Sequence, residues 1–138
     1  MESSPPDGFV ILPLWQTRPA ALHALLRTAY ADGGGSVPDF DDWWWPLVED
    51  REFDPALLIV AAHPTGQPAG LIQCWTSAFV KDLVVAPDAR NRGLGSWLLQ
   101  HAFAIFAARG ASHVDLKVQA GNSGARRFYA RHGMVEVH

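Results

Sequence analysis

The chain contains one cysteine, Cys74, in 138 residues, which rules out an intramolecular disulfide and a cysteine metal cluster. No apolar run approaches the roughly 18 residues that a membrane span needs. The opening stretch, Met1-Glu2-Ser3-Ser4-Pro5-Pro6, lacks the basic and apolar regions of a secretory signal. A soluble, cytoplasmic protein without a membrane partner is therefore expected. Basic residues are scarce as well: 11 Lys and Arg stand against 14 Asp and Glu, a net charge of −3, too few for the electrostatic footprint of a nucleic-acid binder. Neither Gly-x-Gly-x-x-Gly nor a Gly-Lys-Ser/Thr ending occurs, so a dinucleotide fold and a magnesium-dependent phosphate loop are both unsupported. The histidines form no His-Glu-x-x-His pattern, and no metal is expected.

What is present is an ordinary globular composition, 49% hydrophobic and 18% charged, which at this length predicts one domain over residues 1–138. The small net charge hides a split. Residues 1–86 carry 4 Lys/Arg against 11 Asp/Glu, whereas residues 87–138 carry 7 against 3. The first half suits a cation and the second an anion.

The order of elements follows from periodicity and punctuation. Phe9–Leu12 with Leu14 reads as a short strand. Thr17 is placed to cap a helix with Pro19 in its first turn, and Leu22, Leu25, Leu26, Ala29 and Tyr30 mark one helical face. Asp32-Gly33-Gly34-Gly35 ends it. Residues 38–50 read as a second helix capped at Asp39, with Pro46 kinking it or starting a new turn. Trp43, Trp44 and Trp45 cannot all face one core, so at least one is expected at a cleft or interface, or all wedge between helix and sheet. Residues 56–63, 69–75 and 79–85 form three strands joined by turns, an antiparallel meander. Leu94, Leu98, Ala102 and Ile105 repeat at helical spacing up to Gly110. Residues 112–118 alternate as a strand parallel to 79–85. A last short helix runs from an Asn122 cap to Gly133, and Met134–Val137 reads as a closing strand.

Between strand 79–85 and the following helix lies Arg90-Asn91-Arg92-Gly93-Leu94-Gly95. Two glycines allow a tight turn with exposed amides, and a helix start adds its positive dipole end, which together suit phosphate. This Arg-x-x-Gly-x-Gly turn, combined with Asn122-x-x-Ala125-x-x-Phe128-Tyr129-x-x-x-Gly133-Met134, resembles the two signatures of the GCN5-related N-acetyltransferases (GNAT). The likeness is specific over residues 79–134, while residues 1–78 match only in their order of elements.

The resemblance implies an α/β (α+β) fold: a mixed, mostly antiparallel sheet of about six strands with a splayed parallel pair, flanked by about four helices. It also implies acetyl-CoA as acyl donor and direct N-acetylation of a small amine, with the acidic first half favouring a cationic one. The resemblance also implies a bulge in the strand before the glycine turn, and carried over by position the oxyanion donors there fall among the backbone of Leu83, Val84 and Val85. The coenzyme A diphosphate falls on the amides of Asn91, Arg92, Gly93, Leu94, Gly95 and Ser96, with charge from Arg90 and Arg92. Asn122 and Ala125 lie against the cofactor, and Arg126, Arg127 and Arg131 are candidates for its 3′-phosphate. Tyr129 occupies the general-acid position.

The base is less determined. Some family members carry Glu where this chain has Lys81. Asp82 is the adjacent candidate, but strand alternation turns it to the opposite face unless a bulge reorients it; Glu49, Asp50 or a water chain are the alternatives. Two rival readings are an acyl-cysteine route through Cys74 and a non-catalytic acyl-CoA-binding regulatory domain. Family members continue past the second signature through two strands, and five residues follow Gly133 here. The remaining strand is expected to pair with 112–118, or a partner chain to complete the edge as a homodimer, unless the chain is truncated.

Overall fold

The computed structural model describes residues 5–31, 33 and 35–137; Asp32 and Gly34 of the expected glycine stop, with Met1–Ser4 and His138, lie outside them. Five strands form one sheet in sequence order: β1 (Val10–Leu12), β2 (Leu58–Ala62), β3 (Pro68–Trp75), β4 (Phe79–Val85) and β5 (Asp115–Leu116). The first four are antiparallel, and β4 and β5 are parallel. Four α-helices flank it: α1 (Pro19–Tyr30), α2 (Phe40–Glu49), α3 (Leu94–Ala108) and α4 (Ser123–Arg131).

The central strands explain the layering. Every residue of β2 is buried, as a continuous apolar run requires when both faces of a sheet are covered. On one face Ile59, Ile72, Cys74 and Val80 pack with Leu94, Leu98, Ala102 and Phe106 of α3. On the other, Leu58, Val60, Leu71 and Val84 pack with Leu22, Leu25 and Leu26 of α1 and Trp43 and Leu47 of α2. Gly70 in β3 lets α3 approach closely: a Cβ there would sit 3.2 Å from both Leu94 Cδ2 and Leu98 Cδ1, and 3.1 Å from Val84 O.

The helices begin differently from the capping pattern. Arg18 is the N-cap of α1, and the Thr17 hydroxyl instead donates to Leu14 O at 2.7 Å. Asp39 occupies the N-cap position of α2 without a side-chain capping bond, and Pro46 sits inside the helix. The three tryptophans divide as their spacing demands. Trp43 is buried, Trp44 half-buried and Trp45 exposed, with the Trp45 indole donating to Asp41 one turn back.

The expected sixth strand does not form: residues 134–137 carry no strand pairing. That segment is held by α4 instead. The Arg126 guanidinium clasps both oxygens of Glu136, the Met134 N–H bonds Tyr129 O at 3.1 Å, and Val135 and Val137 point outward. Among the described residues β5 spans two residues, Asp115–Leu116, against the seven expected.

Candidate active site

The parallel pair is joined only at Phe79↔Asp115 and Val80↔Leu116; beyond Val80 the two strands separate. The cause is visible one strand away. The β3–β4 register shifts so that Gln73 opposes Asp82 while Cys74 opposes Val80, leaving Lys81 as an extra residue, a β-bulge that sharpens the local twist. The bulge resets the side-chain alternation. Val80 packs with the α3 face, and Asp82 lies with Val84 on the α1 face, which unbroken alternation would have given to Val80 and Asp82 alike.

Downstream of the bulge, main-chain groups are divided between the two edges of β4. The Ala86 N–H bonds Ala69 O at 2.7 Å, which fixes the alternation of the antiparallel ladder. Asp82 and Val84 therefore spend their N–H groups on β3, and those of Leu83 and Val85 face the gap. A cleft of about 1130 Å³ lies between β5, α4 and the segment that follows α4, walled by Phe103, Leu116, Val118, Arg127, Tyr129 and Met134, with no residue of β4 in its lining.

Just past the last β4–β5 pair, Asp82 is the centre of a polar cluster. Its Oδ1 accepts a 2.7 Å hydrogen bond from the Tyr30 hydroxyl, and its Oδ2 accepts from Lys81 Nζ at 3.0 Å. Neighbouring residues of a regular strand point apart; the bulge is what lets Lys81 and Asp82 meet. The chain has two tyrosines, and Asp82 acts on both. Burial first, then the Asp82 charge and hydrogen bond, raise the Tyr30 phenol far above its usual 10.0. Burial, then the Asp82 charge, also raise Tyr129. Both phenols are therefore protonated at neutral pH and able to donate. Gln73, directly across from Asp82, is buried; its Nε2 donates to Cys74 O at 3.1 Å, and its Oε1 has no hydrogen-bond partner among the described residues.

The glycine turn lies at the end of β4. Asn91 and Gly93 both take left-handed backbone conformations, at φ 64° and 80°, which Asn tolerates and Gly adopts freely. Among the described residues, the main-chain N–H groups of Asn91 to Ser96 make no hydrogen bond to another main-chain group. Asn91, Arg92 and Gly93 are exposed, and a Cβ on Gly93 would meet nothing within 4 Å. Six unspent amides at the start of a 15-residue helix fit a diphosphate.

Of the residues singled out by sequence, Arg92 is exposed beside this cradle. Arg90 is engaged elsewhere: its Nε donates to Val85 O and its Nη2 to Ala29 O, each at 3.1 Å, strapping the last turn of α1 to the end of β4. Ser96 Oγ lies 2.9 Å from His132 Nε2, joining α3 to α4. Asn122 caps α4 by accepting from the Ala125 N–H at 3.1 Å. Arg126 is held by Glu136 and Ala120 O, and Arg131 covers the Phe128 ring, so Arg127 is the α4 arginine that lines the cleft without such a tie. Glu49 and Asp50 lie exposed at the end of α2, with Asp50 accepting from the Glu52 N–H.

Sequence reading passed over Tyr30, Gln73 and the fastening role of Arg90. Tyr30 had one usable signal, a polar tip ending an otherwise apolar helix face. Cys74 is fully buried, and burial pushes its thiol up to about 12.

Comparison with known proteins identifies the family and the fold. The sequence model of the acetyltransferase (GNAT) family matches residues 20–134. The chain is 42% identical over 117 residues to a mycothiol acetyltransferase of Clavibacter michiganensis subsp. michiganensis, a match covering 80% of this chain and 36% of that protein. It is 35% identical over 134 residues to the streptothricin acetyltransferase of Streptomyces lavendulae, covering 94% of this chain and 64% of that one. The chain thus spans little more than a third of the length of the first of these relatives. Its fold is that of a GCN5-related N-acetyltransferase from Sphaerobacter thermophilus, with a TM-score of 0.79 at 24% identity over 100% of this chain and 46% of the other.

Proposed function

Because the chain belongs to the acetyltransferase (GNAT) family, we propose that it transfers an acetyl group from acetyl-coenzyme A directly to the amine of a small molecule. In this reading Asp82 receives the proton of the amine and Tyr129 donates one to the leaving sulfur. The observation that carries it is the convergence of a carboxylate and two protonated phenols on the one stretch where β4 leaves N–H groups unpaired.

When bound, acetyl-coenzyme A supplies an acyl group activated as a thioester. The amides of Asn91 to Ser96 and the Arg92 charge would hold its diphosphate, Arg127 would add charge for its 3′-phosphate, and Asn122 at the start of α4 would contact the cofactor arm. The N–H groups of Leu83 and Val85 would be fixed donors for a developing oxyanion. An alkyl ammonium must lose its proton before its nitrogen can attack, and Asp82 is the carboxylate beside those donors. A departing thiolate has a conjugate acid near pKa 8.5 or so, which a phenol that keeps its proton can serve. The relatives' names point to small acceptors, and the acidic first half favours a cationic one. An acyl-cysteine route is disfavoured, because Cys74 is sealed in β3 as an un-ionised thiol.

The observation favouring a binding domain without turnover is the Lys81 ammonium on Asp82 Oδ2, which engages the base. Thiol release from acetyl-CoA with spermidine, an amino sugar and streptothricin as acceptors separates the two. Turnover that falls by about 10²-fold or more in Tyr129→Phe and Asp82→Asn supports catalysis. Acetyl-CoA binding by calorimetry with no release for any amine supports the binding domain.

A further inference from the structure

We propose that Tyr30 is a positioning residue for the acetyl-transfer reaction, holding the Asp82 carboxylate so that Oδ2 is the oxygen presented to the amine. This rests on Asp82 acting as the base, as proposed above.

The two partners of Asp82 differ in kind. Tyr30 is the last residue of α1, half-buried among the residues packed on the α1 face, and its side chain has only two torsions between backbone and hydroxyl. The helix end that carries it is itself strapped to β4, since Ala29 O accepts from Arg90. Its 2.7 Å bond to Oδ1 is therefore made by a group with little freedom to leave. Lys81 is on a flexible stem with a side chain 36% exposed, against 14% for Asp82, and holding it costs side-chain entropy. Its ammonium occupies on Oδ2 the place that an acceptor ammonium would take, and can swing into solvent when one arrives. One oxygen is thus fixed and the other is exchangeable. In the step that follows, an N–H bond of the acceptor ammonium breaks, an O–H bond forms on Oδ2, and the electron pair stays on nitrogen.

Two measurements test this. The first needs no acceptor. In a Tyr129→Phe background Tyr30 is the sole phenol of the chain, and its tyrosinate absorbance is followed with rising pH. Adding Asp82→Asn should lower the pH at which Tyr30 ionises, because the neighbouring charge that opposes the phenolate is gone. An unchanged titration means that Tyr30 does not touch Asp82 in solution, and overturns the proposal.

The second is a kinetic double-mutant cycle with spermidine as acceptor, accompanied by thermal melts. Tyr30→Phe keeps the ring and should lower kcat about tenfold, the scale of one hydrogen bond to a charged group, with the KM for acetyl-CoA unchanged. In an Asp82→Asn background the same change should cost less than about twofold, because the two residues act as one unit. Equal losses in both backgrounds would place the action of Tyr30 elsewhere and refute it. Wild-type turnover in Tyr30→Phe alongside a crippled Asp82→Asn rejects Tyr30 and spares Asp82. Full turnover in Asp82→Asn itself removes the base and the positioning role together.

Discussion

Gly70→Ala adds one methyl group at the place where α3 is seated, and its cost follows from three distances. The new Cβ would meet Leu94 Cδ2 and Leu98 Cδ1 at 3.2 Å and Val84 O at 3.1 Å, all inside ordinary van der Waals contact. The leucine methyls can rotate by a few tenths of an ångström, although both side chains are fully buried. The carbonyl of a central strand cannot. Overpacking of this kind typically costs about 1–3 kcal/mol. With an unfolding entropy of about 2 cal/mol/K per residue, a loss of about 2 kcal/mol lowers Tm by about 7 °C in a chain of this size. The strain has a direction as well, because Leu94 is the first residue of α3 and lies inside the amide cradle. Lifting α3 off β3 shifts those amides, so the dissociation constant of coenzyme A should rise several-fold while the acceptor KM stays as it was. Thermal melts by circular dichroism and calorimetric titration of coenzyme A give both numbers. A variant with wild-type Tm and wild-type coenzyme A affinity would show that close approach at Gly70 does not set the position of α3.

Two further outcomes are expected. Lys81→Met removes the cation that competes for Asp82 Oδ2, so the KM of a cationic acceptor should fall while that of acetyl-CoA does not; steady-state kinetics with spermidine reads it, and a raised acceptor KM would contradict the exchange. Stability should decline in alkali: folding raises Tyr30 and Tyr129 above 10.0 and Cys74 from 9.0 to about 12, so the folded state keeps protons that the unfolded chain releases. Their contribution is whole below about pH 9 and shrinks as pH rises past it, so urea midpoints should fall from neutral pH into alkali, and a flat profile would show that these groups are not buried as described.

How much of this was readable beforehand depended on how local each cause was. The α1 stripe, the wholly apolar β2 and the glycine stop after α3 are set by neighbours a turn or less away, and all three stand where periodicity put them. The bulge at Lys81 is different: the family resemblance implies a bulge in this strand, but its position exists only as a mismatch in count between β3 and β4, and no residue in either strand announces it. Tyr30 and Asp82 are 52 positions apart, and Arg90 and Ala29 are 61 apart, so each contact is a product of the assembled sheet. Residues 134–137 failed as a strand for a related reason. Alternating apolar residues meet the pattern for a strand, but pairing needs an edge within reach, and the Arg126 to Glu136 clasp holds that segment to α4. The glycine turn was legible because backbone freedom and unspent amides are properties of a few consecutive residues. Which of its side chains face the cradle was not, and Arg90 turned the other way.

The strap from Arg90 bears on how such a protein can diversify. It grips carbonyl oxygens, those of Val85 and Ala29, and every amino acid brings a carbonyl. The residues of α1 can therefore be rewritten one by one, by selection or by an engineer, without loosening the attachment of that helix to the end of β4. The freedom has one fixed point: the arginine itself, where a lysine would offer a single charge in place of a planar fork able to reach both carbonyls at once.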